Sequence, residues 1–390
     1  MIRSASRRCA DLVRTRLSLA LAIGLGVSGL MTACASDPAP PRRDDAYMMT
    51  IDQANDLDYQ IAWQSAVAVA ANGGVNAIYP YDDIVVTSEN GRNILSALTT
   101  RDGSRAWDAA IGAPLERLLG VRRQGDRLYA TTQSDFYALD SATGRLEQHD
   151  RFAANYAAGT RPIIRGEYAI YGTSDGRVVY HHIPTGIAKD AYRFEAPIDI
   201  DVAPVGDAVA VLTRDASVNL HNPIANSRMW RNNTLDPAVV TPAVGPLALY
   251  VVSPDQSVWA FRLSDGREIW RFRAQRPLRD EPKYLDGRVY VAVPGQGLVA
   301  LDEATGEVIW TTDEINGGTL LTRKNGDLIV FDADDAPGSR GGRFYRVDER
   351  TGDLLGTART PRISLAVADT MQNGSIFGAS YDGRLLKLVP

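Results

Sequence analysis

Apolar residues in this chain fall into short runs of strand length, separated by polar turns, from about residue 57 to the C-terminus. In the stretch 281–312 the runs are "EPKYLD", "RVYVAV", "GLVALD" and "EVIWTT", with "DG", "PGQG" and "ATG" in or near the turns between them. Short runs bounded by glycine, proline and aspartate predict β-strands joined as antiparallel neighbours. Apolar residues at helical spacing are missing throughout, so the pattern favours an all-β fold.

The turn before each fourth strand recurs at steps of about 40 residues. A period near 40 with strand-sized apolar segments predicts the blades of a β-propeller. Asparagine fills the one position that lacks glycine, because asparagine tolerates the left-handed backbone conformation better than most residues. The turn residues are Gly103, Gly144, Gly186, Asn226, Gly266, Gly306 and Gly352.

Strand counting predicts eight blades closed by the N-terminus. Eight third strands can be identified, the last being "LLKLV" just before Pro390, but only seven fourth strands follow Trp107. The segment 58–64, which contains Trp63, has the fourth-strand pattern and would complete the last blade. Such a closing strand removes an open sheet edge. We therefore predict an eight-bladed β-propeller of four-stranded antiparallel blades over residues 57–390.

Tryptophan occupies one repeated position. We expect these large rings to pack between neighbouring blades, where each would bury a substantial area. An aromatic platform for a ligand is the alternative interpretation. The five residues are Trp63 in the closing strand and, four positions after a turn residue, Trp107, Trp230, Trp270 and Trp310.

The first 33 residues predict an export signal. Five arginines precede the apolar run at 17–31, and small residues follow it; this is the order of a cleavable signal. Cys9 lies in the signal, so the exported chain would contain Cys34 alone and no internal disulfide. Residues 34–56 begin Pro-rich and polar, which predicts a flexible tether. A plain secretory signal cut nearby and a twin-arginine signal remain alternatives.

Charge and motifs argue against several functional classes. The formal net charge is −5, whereas nucleic-acid binding requires clustered lysine and arginine. The sequence contains no phosphate-binding loop of the G-x-x-x-x-G-K-[ST] type. We predict no catalytic, cofactor-binding or metal-binding residues and no nucleic-acid partner.

Two groups of side chains are weaker candidates for metal chemistry. His181 and His221 occupy the same position in neighbouring blades, next to His182 in blade 3. Equivalent positions in packed sheets are roughly 10 Å apart, too far for one ion, so we interpret them as hydrogen-bonded packing residues. The segment 332–342, "DADDAPGSRGG", departs from the spacing of known calcium loops. We expect an exposed loop there, which is also a reasonable partner-contact site.

The turn motif resembles the PQQ-like β-propeller repeat. Ala300, Asp302, Thr305, Gly306 and Trp310 fit its pattern A-x-D-x-x-T-G-x-x-x-W. Partial copies occur at Ala138, Asp140, Thr143 and Gly144, at Asp348, Thr351 and Gly352, and at Gly266 and Trp270. The resemblance covers nearly the whole chain after the tether and implies the propeller fold, which unrelated activities share.

Within that family the chain is most similar to the BamB-like lipoproteins of the outer-membrane β-barrel assembly machinery. "MTAC" resembles a lipobox, which implies lipidation of Cys34 and anchoring to the outer membrane, facing the periplasm. The resemblance also implies a non-enzymatic scaffold that contacts a barrel-assembly subunit, although no contact residue carries over. The alternative is a ligand sensor or a dehydrogenase holding pyrroloquinoline quinone and calcium in the central funnel. Asp199, Asp201 and Asp280 are candidate acids there, but no quinoprotein motif surrounds them. A propeller whose partner is specific to its own lineage is the third possibility.

Overall fold

The computed structural model describes residues 48–71, 73–114, 116–153, 156–315, 317–333 and 341–390. Within these residues the chain forms eight antiparallel sheets of four strands each. Inner strands of most neighbouring sheets contact one another. The predicted fold class, an eight-bladed β-propeller, is confirmed.

Each blade contributes one strand to each of four positions, from the centre outwards. The inner strands of blades 1 to 8 are β2 (Val75–Pro80), β6 (Leu118–Gln124), β10 (Ile163–Arg165), β14 (Ala203–Val205), β18 (Ala243–Val244), β22 (Lys283–Leu285), β26 (Thr319–Lys324) and β30 (Leu365–Ala368). The second strands are β3 (Ile84–Glu89), β7 (Arg127–Thr132), β11 (Tyr168–Gly172), β15 (Ala208–Leu212), β19 (Ala248–Ser253), β23 (Arg288–Val293), β27 (Asp327–Ala333) and β31 (Ile376–Ala379). The third strands are β4 (Ile94–Thr99), β8 (Asp135–Asp140), β12 (Arg177–His182), β16 (Ser217–Asn222), β20 (Ser257–Arg262), β24 (Gly297–Asp302), β28 (Gly342–Asp348) and β32 (Arg384–Val389). The outer strands are β5 (Arg105–Ala110), β9 (Leu146–Arg151), β13 (Ile187–Arg193), β17 (Ser227–Asn233), β21 (Glu268–Arg273), β25 (Val308–Thr312), β29 (Leu354–Thr360) and β1 (Gln60–Ala66).

The ring is closed by the N-terminal strand. β1 pairs antiparallel with β32, from Gln60 opposite Val389 to Ala66 opposite Arg384. The eighth blade is thus built from both ends of the described chain, in the order β1-β32-β31-β30. The first strand of the propeller thus completes its last blade, which closes the ring and leaves no open sheet edge there.

The segment before β1 is folded against blade 7. Thr50 caps the short helix α1 (Ile51–Asp56) through a capping box with Gln53. Met49 and Leu57 are buried in a cluster with side chains of β27 and β28. Residues 48–56, assigned above to the flexible tether, are instead ordered, because Met48, Met49 and Ala54 are buried against the propeller.

The core lies between the blades. Val252 and Val258 of blade 5, for example, belong to one buried cluster with Val291 and Val299 of blade 6. Second strands are therefore covered on both faces, and every residue of β19 is buried. This explains why the sequences of these strands are continuously apolar and do not alternate between apolar and polar residues.

The antiparallel order gives the ring two faces. The turns between first and second strands and between third and fourth strands lie at one end, which we name the turn face. The turns between second and third strands and the connections between blades lie at the other end, which we name the connection face. A short 3-10 turn at Ile183–Thr185 belongs to the turn face.

Candidate functional site

The repeated turn is held by its aspartate. Asp302 Oδ1 accepts hydrogen bonds from the Thr305 amide at 2.9 Å and from the Thr305 hydroxyl at 3.0 Å. The Thr305 amide and hydroxyl lower the pKa of the Asp302 carboxyl. Gly306 then adopts a positive φ of 72°, a conformation that glycine takes at little cost. Asp140 Oδ1 likewise accepts from the amide and the hydroxyl of Thr143. Asp348 Oδ1 accepts from the Thr351 amide at 2.8 Å, whereas the Thr351 hydroxyl donates to Asp353.

Each repeated tryptophan covers the turn of the next blade. A Cβ added to Gly306 would lie 2.5 Å from Trp270 Cδ2. The Trp270 indole N–H donates to the carbonyl of Glu303, three residues before the glycine, at 2.8 Å. The equivalent bonds run from Trp63 to Thr100, from Trp107 to Ser141, from Trp230 to Leu263 and from Trp310 to Glu349, at 2.8–3.0 Å.

Three seams between described blades lack this tryptophan. At the seam of blades 2 and 3, Gln148 takes its place and donates to the Ile183 carbonyl at 2.5 Å. At the seam of blades 7 and 8, Gly356 takes its place, and a Cβ there would overlap the Asp56 carbonyl of α1. At the seam of blades 3 and 4 the position holds Asp190. Sequence reasoning missed this departure, although no tryptophan stands four positions after Gly186.

The histidines are packing residues with hydrogen-bond partners. His181 Nε2 lies 3.0 Å from Asp150 Oδ2, and burial lowers the pKa of His181. His221 Nε2 hydrogen-bonds the hydroxyl of Tyr180, and burial lowers the pKa of His221 to about 4. The two rings therefore have separate partners.

Two of the acids considered for the central funnel are paired with arginines. Asp199 pairs with Arg214. Asp201 accepts from the Arg161 amide at 2.7 Å and pairs with the Arg161 guanidinium. Among the described residues no group of three His, Cys, Asp or Glu side chains is placed to hold a metal ion.

The resemblance to known proteins is decided by comparison over the whole propeller. A family model described as "Outer membrane protein assembly factor BamB" matches residues 50–219 and 214–388. The chain belongs to the BamB family. The predicted resemblance to BamB-like PQQ-repeat propellers is confirmed.

Similar BamB proteins are distant in sequence. A protein of Bordetella pertussis named "Outer membrane protein assembly factor BamB" is 27% identical over 157 residues, 39% of this chain and 40% of the relative. Proteins with the same name from Nitrosomonas eutropha and Shewanella oneidensis are 23% identical over 182 residues and 22% identical over 288 residues. The alignments thus span less than half of the Bordetella and Nitrosomonas proteins, at 40% and 44% of their lengths.

Solved structures share the fold. BamB from Moraxella catarrhalis matches with a TM-score of 0.64 and 19% identity, covering 84% of this chain and 98% of that one. The computationally designed Ika8 protein matches with a TM-score of 0.67 and 12% identity, covering 84% and 100%. At these identities the structural likeness concerns the fold alone.

The connection face of this BamB-family chain carries exposed apolar side chains. Leu235 and Val239, on the connection from blade 4 to blade 5, are 66% and 45% exposed. The Leu235 amide donates to Asp255 Oδ2 at 2.9 Å, which fixes the backbone of the connection. Leu247, on the turn face of blade 5, is equally exposed at 65%. Sequence reasoning did not identify the pair Leu235 and Val239, because two apolar residues in an irregular segment have no periodic signal.

Several predicted features lie outside the described residues. These are the signal 1–33, the lipidation site Cys34 with tether residues 35–47, and residues 334–340 of the expected loop. Over the part of the chain that the structure describes, no helix has the length and hydropathy needed to span a membrane.

Proposed function

We propose that this chain is an envelope lipoprotein that assists the assembly of outer-membrane β-barrel proteins as a non-enzymatic scaffold. The observation that carries the proposal is the BamB family match, which extends over both halves of the propeller. The three relatives aligned above bear the same assembly-factor name. The partner in this proposal is a subunit of the barrel-assembly machinery, and the propeller presents a rigid ring on which variable loops can dock.

The anchoring part of the proposal rests on the sequence. Cys34 is the lipidation site, the signal 1–33 is removed, and the lipid holds the protein in the outer membrane, facing the periplasm. Several acyl chains make such an attachment durable. Changing Cys34 to serine should release the protein from sedimented membranes into the soluble fraction. Retention of the C34S variant with the membranes would contradict the anchor.

The scaffold part of the proposal is supported by the ion pairs of two acids considered above for the funnel. Asp199 and Asp201 are both paired with arginines, so these two carboxylates are already neutralised by neighbours. The connection face instead offers Leu235 and Val239 to solvent. An exposed apolar patch is a feature of protein-contact sites, whereas single exposed apolar side chains are ordinary. We take this pair, with the surrounding connection, as the contact surface for the assembly partner.

Affinity copurification tests the proposal. The full-length lipoprotein is purified from its native membranes in mild detergent, and its partners are identified by mass spectrometry. Recovery of a barrel-assembly subunit in near-equal amount is the expected result. A different reproducible partner, or none, would overturn the assembly role. Saturable binding of pyrroloquinoline quinone with calcium-dependent activity would overturn the non-enzymatic assignment.

A further inference from the structure

A cavity of about 450 Å³ opens on the turn face at the seam of blades 3 and 4. We name it the seam cavity. Its volume lies within the range of roughly 300–1,000 Å³ typical of small-ligand sites. Its apolar lining comes from both blades: Tyr168, Ile170 and Tyr180 of blade 3, and Pro223 and Ile224 of blade 4.

The cavity exists because this seam lacks the blade tryptophan. Asp190 lies opposite Tyr180 in the sheet, as Trp310 lies opposite Ala300 in blade 6. The carboxylate of Asp190 accepts a hydrogen bond from Asn226 Nδ2 at 2.7 Å. A short polar pair thus occupies a position where five other seams hold an indole ring.

Two acceptors are left for a donor from outside. Pro223 stands three residues before the turn residue Asn226, the position whose carbonyl accepts the indole N–H at the five tryptophan seams. Among the described residues no group donates a hydrogen bond to the Pro223 carbonyl. Asn226 Oδ1 is buried and has no hydrogen-bond partner. An acceptor removed from water without gaining a donor is costly. Pro223 and Asn226 both line the cavity, so a donor bound in the cavity can pair with one of these acceptors.

The other two seams without tryptophan are filled by the protein itself. Gln148 fills the seam of blades 2 and 3 and bonds the equivalent carbonyl of Ile183. The segment containing α1 covers the seam of blades 7 and 8 at Gly356. The seam of blades 3 and 4 has neither a glutamine at this position nor a covering segment among the described residues. Apolar surface extends from its mouth instead, where Ile224 is 85% exposed and Tyr168 is 38% exposed.

We propose that the seam cavity binds a tryptophan side chain of a partner polypeptide. The indole ring packs in the cavity between Tyr180 and Ile224, beside the Asp190–Asn226 pair, and its N–H donates to the Pro223 carbonyl. Ile224 and Tyr168 contact the residues that flank the tryptophan. One side chain buries about 150–250 Å², so a single site binds weakly and gains strength only in combination with other contacts. This binding is independent of the assembly role proposed above.

Fluorine NMR tests the cavity directly. A pentapeptide with 5-fluorotryptophan at its centre and glycine on either side is titrated with the full-length protein. The expected result is a saturable shift with a dissociation constant of about 1 mM or tighter. An unlabelled peptide with leucine at the centre should compete about tenfold more weakly, because the leucine side chain has no N–H donor.

A variant that places the chain's own tryptophan at this seam provides the decisive test. Asp190→Trp with Asn226→Gly recreates the arrangement of Trp270 and Gly306 and should abolish the saturable shift. The matched control is Gln148→Trp, which makes the same change at a seam that is already filled and should alter the dissociation constant less than twofold. Tyr168→Ala trims only the mouth and should weaken binding several-fold, so it serves if the double variant does not fold. Absence of a saturable shift with the unmodified protein would overturn the proposal, and so would equal binding by the filled variant.

Discussion

Gly306 lies directly beneath the ring of Trp270, with room for a hydrogen atom but not for a methyl group. A Cβ on this glycine would come 2.5 Å from Trp270 Cδ2, and φ at this position is +72°. Glycine is therefore required for two reasons: the backbone has a positive φ, and the tryptophan of the neighbouring blade leaves no space for a Cβ. Since the same pair recurs around the ring, the turn and the seam are one structural unit.

Gly306→Ala should lower the free energy of unfolding by about 2–4 kcal/mol. Overpacking costs typically 1–3 kcal/mol, and the left-handed backbone adds about 1 kcal/mol for a residue with a Cβ. Urea unfolding followed by circular dichroism measures the change. The control is Gly125→Ala, where φ is +58° but nothing lies within 4 Å of the added Cβ. Equal losses in the two variants would show that the tryptophan contact is irrelevant.

Trp270 can be dissected by two substitutions. Trp270→Phe keeps a ring in the seam but removes the N–H that donates to Glu303 at 2.8 Å, so we expect a loss of about 1 kcal/mol plus a small packing cost. Trp270→Ala should cost about 3–5 kcal/mol, since the side chain is only 7% exposed and a cavity remains. Denaturant midpoints rank the variants. A phenylalanine variant as unstable as the alanine variant would contradict this division.

The N-terminal segment offers a matched pair of sites. Leu57 is fully buried in the cluster with Phe331 and Phe344, and Leu57→Ala should destabilise the protein by about 2–5 kcal/mol. Ile51, on α1 nearby, is 72% exposed, and Ile51→Ala should change stability by less than about 0.5 kcal/mol. Thermal unfolding distinguishes them. Similar melting temperatures for the two variants would mean that the segment contributes nothing to the ring.

Stability should fall in mildly acidic solution because of His221. Burial lowers its pKa to about 4 from a usual value of 6.5. Below pH 6.5 the unfolded chain takes up a proton that the folded chain refuses, so the free energy of unfolding decreases as the pH falls from 6.5 towards 4. The full contribution is on the order of 3 kcal/mol.

A leucine at this position tests that assignment. Blades 2 and 6 carry Leu139 and Leu301 at the equivalent site. His221→Leu loses the hydrogen bond to Tyr180 at every pH, but its stability should decline less between pH 7 and pH 5, by about 2 kcal/mol. Urea titrations at the two pH values give both declines. A decline as steep as that of the unmodified protein would assign the acid sensitivity to other groups.

Leu235→Glu should reduce copurification of the assembly partner several-fold without changing stability. A charge at the centre of an apolar contact must be desolvated, which weakens association. Leu247→Glu is the control, because Leu247 is equally exposed, at 65% against 66%, but lies on the opposite face. Equal recovery of the partner with both variants would move the contact surface elsewhere on the ring.

Much of the architecture could be predicted because it is local and repeated. The turn glycine, the aspartate that caps the turn and the apolar strands recur at a fixed period, and each is specified within a few residues. The eighth blade could also be predicted by counting strands, since a closed ring needs a partner for β32. What could not be predicted was the order in residues 48–56, because the side chains that bury Met49 and Leu57 come from blades 7 and 8, far along the chain.

The outer strands show the limit of reading periodicity. Val308 and Trp310 are two residues apart and would share one side of a regular strand. In the structure their partners Leu301 and Ala300 are adjacent residues, so Ile309 is the extra residue of a β-bulge in the outer strand. Val308 is therefore 49% exposed while Trp310 is 7% exposed. The pairing of two strands decides this, and the pattern of one strand does not contain it.

The sequence by itself determined the repeat, the number of blades and the turn chemistry, because each depends on residues close together in the chain. Tertiary structure alone decided which seams are filled and by what. Asp190 and Asn226 look like ordinary substitutions in two separate repeats, and only the packing of blade 3 against blade 4 places them together at the edge of a cavity. A contact between blades joins residues about one repeat apart, so its consequence appears only when the ring is assembled.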